Sequence, residues 1–226
     1  MAKKRVTRKQ LLKEPDEFIT TTGKLISWAR AHTRQLLVGS GLFLGLLVLV
    51  AAYGYYQQKQ SDAAIMLYGQ AMAKYQNAGG EKEPAAALAA AQSDLERLTS
   101  EYGGQPAGKL GRIMYANLSM AAQARDEAVE IYTSALKDFG SDISIANFIC
   151  NGLGAAYSQK GDFASAIKYY EKIVNSTSPV LKDSALFHLG RLYESMGQSD
   201  KGQKAYKQLT TDFPDSMFAE IAKDKI

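Results

Sequence analysis

Twenty-one consecutive residues, from Leu36 to Tyr56, contain no charged side chain. At about 1.5 Å of rise per residue, a helix of this length spans the roughly 30 Å hydrocarbon core of a bilayer. A single segment can satisfy all of its backbone hydrogen bonds in lipid only as a helix. We therefore predict a transmembrane helix over 36–56, with Trp28 and Tyr53 near the two headgroup regions.

Positive charge is concentrated on one side of this helix. Residues 1–34 hold nine lysines and arginines, whereas Lys59 and Lys74 are the only two among the twenty residues that follow the helix. Positively charged flanks stay in the cytoplasm, so we predict a basic cytoplasmic segment over 1–35 and an exported domain over 57–226. Cleavage after the apolar run is the alternative, although the run exceeds the ~7–15 apolar residues of a signal peptide.

Two further features concern the membrane itself. Residues 16–34 combine apolar and basic side chains at helical spacing, which predicts a juxtamembrane helix lying on anionic lipid. A plain topology signal is the alternative for that segment. Gly41 and Gly45 form a G-x-x-x-G pair within the span, a spacing that permits close contact with another membrane helix.

The exported domain carries little net charge and no recognisable catalytic motif. The chain as a whole is +4, but residues 1–34 contribute +6 and the domain −2, so a nucleic-acid partner is not expected. No spacing typical of metal, nucleotide or nucleophile sites occurs, and we expect neither a cofactor nor enzymatic activity. Cys150 stands in an apolar stretch and should be buried. Asp94 and Glu96 should lie on solvated helix faces.

Glycine and proline divide the domain into segments of helix length. Within these segments apolar residues recur three or four positions apart, as Leu88, Ala91 and Leu95 do, which is typical of helices. No window alternates with the period of two that a strand requires. We predict an all-α domain with eight main helices and a short ninth near Asp215. The main helices are predicted at 59–78, 83–102, 106–123, 126–138, 142–159, 162–175, 180–196 and 199–212.

The last part of the chain contains an internal repeat. Leu-Gly, Tyr and Gly at positions 153–161 return at 189–197, a step of 36 residues. This pattern resembles the tetratricopeptide (TPR) repeat, whose period is about 34 residues. The resemblance implies an α-solenoid of about four helix pairs. A small residue, such as Gly154 or Gly190, would let the first helix of a pair approach the second.

In TPR units the first helix of each pair lines a groove, so the resemblance also implies a binding face. The inward positions in this sequence are Ile113, Asn117, Met120, Phe148, Asn151, Ala155, Phe187, Arg191 and Glu194. The set is apolar with interspersed amides and lacks the basic cluster that holds a terminal carboxylate. It therefore favours extended or helical protein segments. For Phe148 and Phe187, packing against the next repeat is an equally good interpretation.

A basic stub, one N-terminal span and a short, degenerate TPR domain together resemble the YfgM-like ancillary subunits of the SecYEG translocon. The resemblance implies an adaptor in the inner (cytoplasmic) membrane with its repeat domain in the periplasm. Its partners would be the translocon, a periplasmic chaperone such as PpiD, or client chains. An envelope scaffold that assembles another membrane complex is the alternative.

Overall fold

A computed structural model describes the backbone of residues 17–226 and the side chains from Thr21 onward. Within these residues the chain forms ten α-helices, one 3-10 turn (Gly80–Lys82) and no strand, which confirms the predicted all-α class. The helices are α1 (Glu17–Ala31), α2 (Thr33–Asn77), α3 (Pro84–Glu101), α4 (Pro106–Ala121), α5 (Arg125–Phe139), α6 (Ile143–Gln159), α7 (Phe163–Val174), α8 (Lys182–Ser195), α9 (Ser199–Asp212) and α10 (Met217–Lys223). The basic stretch before Glu17, on which the topology prediction depends, lies outside the described residues.

The chain divides into two compact units, Met1–Gln58 and Lys59–Ile226. In the first unit, α1 and the first part of α2 leave their apolar side chains exposed, among them Trp28 and Leu42. Exposed apolar surface of this extent is unfavourable in water and favourable in lipid. By length and composition, α2 is the one helix of the described chain that could cross a membrane.

Helix α2 runs without a break from Thr33 to Asn77, whereas the sequence analysis separates a helix over 36–56 from another over 59–78. The two residues between those segments, Gln57 and Gln58, are glutamines, which are good helix formers. Nothing in the sequence ends the helix before Gly79 and Gly80, both of which have positive φ. The prediction of two separate helices was therefore wrong.

From α3 onward, each helix of the second unit packs on the next one along the chain. The end of α2 shares a core cluster with α3, and α4 pairs with α5, α6 with α7 and α8 with α9. The short α10 packs on both helices of the last pair, and α4 also contacts α6. The unit is thus the predicted solenoid of four helix pairs.

A small residue on the first helix lies against a tyrosine of the second helix in three of the four pairs. These contacts join Ala116 to Tyr132, Gly154 to Tyr170, and Gly190 to Tyr206. In each case the two residues are sixteen positions apart in the sequence. A Cβ added to Gly154 would lie 2.7 Å from the ring of Tyr170, and one added to Gly190 would overlap the ring of Tyr206. The prediction that small residues permit the helix crossing is confirmed at both glycines.

Aspartate side chains cap the first turns of α6 and α7. The Asp142 carboxylate accepts a hydrogen bond from the backbone N–H of Ile145 at 3.1 Å, and Asp162 accepts one from Ser165 at 3.0 Å. Each cap satisfies one of the N–H groups that have no partner within the first turn of a helix. The caps therefore help to set where α6 and α7 start.

Two single-residue predictions have different outcomes. Cys150 is buried, as predicted, and burial raises the pKa of its thiol. Asp94 is only 6% exposed, so its assignment to a solvated face was wrong, while Glu96 is exposed. The Lys74 ammonium lies 2.7 Å from the Asp94 carboxylate. This ion pair supplies the partner that a buried carboxylate requires, and it joins α2 to α3.

Candidate protein-binding face

The first helices of the pairs, α4, α6 and α8, line two adjacent cavities. The first, here called the apolar cavity, measures about 490 Å³ and lies between α4 and α6. It is lined by Leu110, Ile113, Asn117, Met120, Tyr132, Ile145, Phe148, Asn151, Gly152 and Ala155. The structure thus brings together the six predicted groove residues of these two helices. That they bind a partner stays a prediction.

Phe148 is the most exposed aromatic side chain of this cavity. Its side chain is 56% exposed, although it stands between Asn147 and Ile149, which are both buried. The two buried neighbours fix the rotation of α6, because side chains one position apart point in different directions on a helix. Phe148 is therefore not part of the core of the next repeat, and the packing interpretation does not describe it.

Asn117 and Tyr132 form a polar contact on the opposite wall of the cavity. The Tyr132 hydroxyl donates a hydrogen bond to the Asn117 side-chain oxygen. Burial raises the pKa of Tyr132 to about 12, so its hydroxyl keeps its proton at neutral pH and remains a donor. This bond orients the Asn117 amide, because its oxygen is the acceptor.

Asn151 carries an unsatisfied acceptor. Its side-chain oxygen is buried, and among the described residues it has no hydrogen-bond partner. Leaving a buried polar atom without a partner costs about 1–3 kcal/mol. Because this oxygen has almost no accessible surface, the cost belongs to the fold and is not relieved from the cavity.

The second cavity, here called the basic cavity, measures about 390 Å³ and lies between α6 and α8. It is lined by Ala155, Ser158, Gln159, Phe163, Tyr170, His188, Arg191, Leu192 and Ser195. The His188 ring stacks on Tyr170 with the ring centroids 4.9 Å apart. Burial and the nearby Arg191 charge lower the pKa of His188, so this imidazole is neutral at pH 7. Arg191 is then the one cationic side chain in the lining.

The structure does not bring Phe187 or Glu194 to either cavity. Phe187 stacks on Phe218 of α10 with the ring centroids 5.1 Å apart, which matches the packing interpretation. The Glu194 carboxylate accepts a hydrogen bond from the Tyr206 hydroxyl at 3.0 Å. Both side chains therefore help to hold α8 against the two helices that follow it.

The inward positions taken from the repeat pattern did not include Tyr132 or His188. Tyr132 reaches the apolar cavity from α5 because Gly152 leaves space for its ring. His188 precedes Arg191 by three residues and so shares its face of α8. That spacing was a usable signal for His188. For Tyr132 the sequence offers only its place in the repeat.

The remaining predicted contact concerns the two glycines of the apolar helix. A Cβ built on Gly41 or Gly45 would meet no other atom of the described chain within 4 Å. A helix contact at these positions stays a prediction. Among the described residues, no group of three His, Cys, Asp or Glu side chains is placed to hold a metal ion.

The fold is a solenoid of helix pairs, and the first helices of these pairs line open cavities. This arrangement defines a protein–protein interaction module of the adaptor class. The chain belongs to the tetratricopeptide repeat-like domain family, whose model matches residues 27–223. No curated protein matches the sequence.

Solved structures with the same fold come from distant proteins. A tetratricopeptide repeat protein from Parabacteroides merdae is 17% identical, with a TM-score of 0.56 over 71% of this chain and 59% of its own. A second structure contains TPR-like repeats, nearly identical to one another, of a putative kinesin light chain from Podospora anserina. It is 16% identical to this chain, with a TM-score of 0.52 over 71% of this chain and 82% of its own. This chain thus spans somewhat more than half of the Parabacteroides protein, and the likeness concerns the fold alone.

Proposed function

We propose that this chain is a membrane-anchored adaptor that binds segments of other proteins along the inner face of α4, α6 and α8. The observation that carries the proposal is the apolar cavity, in which Phe148 is exposed. An exposed aromatic side chain is unfavourable in water when nothing covers it. A bound protein segment would cover it.

The anchor is the apolar first part of α2, with the repeat domain on the exported side. The charge asymmetry around residues 36–56 supports this orientation. The match to the family begins at residue 27 and so includes the apolar segment together with the repeats. A tether of this kind raises the effective concentration of a weak binder near its target, to about the millimolar range for a short linker. A shallow, weakly binding cavity is then sufficient.

The proposed partners belong to protein export. The order of a basic stub, one span and a short TPR domain resembles the YfgM-like accessories of the Sec translocon. In this proposal the repeat domain lies in the periplasm and contacts the translocon, a periplasmic chaperone or an exported client. The alternative is an envelope scaffold, in which the same face holds a fixed subunit of another membrane complex.

Site-specific photocrosslinking in intact membranes tests the binding face. A benzophenone amino acid replaces Phe148, whose aromatic ring it resembles, and in a second variant it replaces Met120. Lys168 and Lys207 are the matched controls, because both are exposed on the second helices α7 and α9. We expect protein adducts from the first two positions and none from the controls. Adducts from the controls alone would show that the binding face is wrong.

The identity of the adducts separates the two functions. Translocon subunits, periplasmic chaperones or nascent exported chains would support the export accessory. Subunits of one other membrane assembly would support the scaffold. Adducts that contain only this chain would replace both with self-association.

A further inference from the structure

The two cavities are contiguous but differ in chemistry. Ala155 lines both of them, so a ligand that follows α6 passes from one to the other. The apolar cavity is formed largely by side chains such as Leu110, Ile113 and Phe148. The basic cavity contains Arg191 together with serine and glutamine side chains.

Arg191 has no counter-charge in the described part of the chain. No carboxylate there lies within ion-pair distance of its guanidinium, and its nearest recorded contact is the Phe187 ring, 6.0 Å from the guanidinium carbon. The carboxylate of Glu194, one turn further along α8, already accepts a hydrogen bond from the Tyr206 hydroxyl. A guanidinium at the mouth of a cavity, with five donors to offer, is complementary to a carboxylate.

We infer that the partner segment is extended and carries a bulky apolar side chain close to an acidic one. The apolar side chain enters the apolar cavity, and the acidic side chain pairs with Arg191. This inference rests on the proposed function and specifies the chemistry of its ligand. An internal acidic side chain is intended, because a single arginine does not make the cluster that a terminal carboxylate requires.

The spacing follows from the geometry of α6. The residues of α6 in the apolar cavity centre near position 150 and those in the basic cavity near 157. About seven residues at 1.5 Å each correspond to roughly 10 Å. An extended chain covers that distance in about three residues. Because Arg191 stands on α8 and not on α6, this axial distance is a minimum, and the acidic side chain should stand at least three positions from the apolar one.

Defined peptides test this inference on the full-length protein in detergent micelles. The probes are fluorescein-labelled peptides of glycine and serine with blocked ends, each with one leucine and one glutamate three or more positions apart, in both orders. Matched peptides carry glutamine for glutamate, or serine for leucine. Fluorescence anisotropy gives the Kd of each peptide at low and at high salt.

We expect the best leucine–glutamate peptide to bind about tenfold more tightly than its glutamine counterpart at low salt, because a charge-assisted pair is stronger than a neutral one. High salt should reduce this preference. Arg191→Gln should abolish this preference for glutamate over glutamine. Lys168→Gln, which removes a charge from the outer face, should preserve it.

Phe148→Ser should weaken binding of both peptides by a similar factor, since the lost apolar surface serves the leucine of each. A glutamate preference that survives Arg191→Gln would overturn the inference, as would a panel in which no peptide binds. Either result together with specific protein adducts from Phe148 would leave the proposed function in place. No adducts from the inner face would remove the proposed function itself.

Discussion

Gly190 is in contact with the ring of Tyr206, which is completely buried. A ring without space to move cannot give way to an added methyl group, so the helices themselves must separate. We expect Gly190→Ala to lower the free energy of unfolding by about 1–3 kcal/mol through overpacking. Urea unfolding of the full-length protein in detergent, followed by circular dichroism, measures this change.

Gly69 provides the matched control for that substitution. It is also helical, but a Cβ added there would meet no atom within 4 Å. Gly69→Ala should therefore raise the free energy of unfolding by up to about 1 kcal/mol, because alanine has the higher helix propensity. Equal effects of the two substitutions would contradict a tight crossing at Gly190.

His188 should make stability depend on pH. Its pKa is lowered in the folded state by burial and by Arg191, while the Tyr170 ring covers it from α7. The unfolded chain, with an ordinary histidine pKa of about 6.5, then binds the proton more readily than the folded chain. The folded state keeps its full stability above that pKa and loses part of it as the pH falls towards the lowered value.

The comparison of wild type with His188→Gln isolates this effect. Between pH 7 and pH 5 the thermal midpoint of the wild type should fall further than that of the variant. Carboxylates elsewhere in the chain titrate equally in both proteins and cancel in the difference. An identical fall in the two proteins would show that His188 titrates normally in the folded state.

At the scale of single helices, the cap at Asp142 is the feature that fixes α6, the helix common to both cavities. Asp142→Ala removes the acceptor for the Ile145 N–H. We expect a loss of about 1 kcal/mol, or roughly 2–4 °C in the thermal midpoint of a chain of this size. Asp142→Ser retains a cap and should retain most of the stability. A similar loss in both variants would mean that the aspartate acts through something other than the cap.

The helices α3–α9 were predictable because glycine and proline mark their ends and apolar spacing marks their interiors. Their observed ends differ from the predicted ones by at most two residues. The continuity of α2 was not predicted, since the change from apolar to polar composition after Tyr56 was interpreted as a helix boundary. A change from apolar to polar residues moves a helix from lipid to water but does not end it. The helix ends at a residue such as Gly79, whose φ is positive.

The inner face was predictable where both neighbouring helices belong to regular repeats, as they do around Phe148 and Asn151. It was not predictable at Phe187, because that ring is covered by α10, which is not part of the repeat pattern. The same holds for Asp94, whose partner Lys74 is twenty residues away in the sequence. Which side chains remain without a partner, as the Asn151 oxygen and the Arg191 guanidinium do, depends on distances that a repeat motif does not contain.

At the scale of the whole molecule, the orientation in the membrane is the prediction with the widest consequences. An alkaline phosphatase fusion after Ile226 should be active, because this reporter folds only outside the cytoplasm. A fusion after Arg34, ahead of the apolar segment, should be inactive and serves as the control. The reverse pattern would place the repeat domain in the cytoplasm and remove the export proposal.

The contacts between small residues and tyrosines also determine how the domain can form. Each joins two residues sixteen positions apart, so the loop that must close is short and its entropic cost is small. A topology of such local contacts has a low contact order and is expected to fold rapidly. During synthesis, the hairpin of Gly154 and Tyr170 can close before the residues of the last pair have emerged. Folding can therefore proceed one repeat at a time from the N-terminal side, and each completed pair presents the surface on which the next one docks.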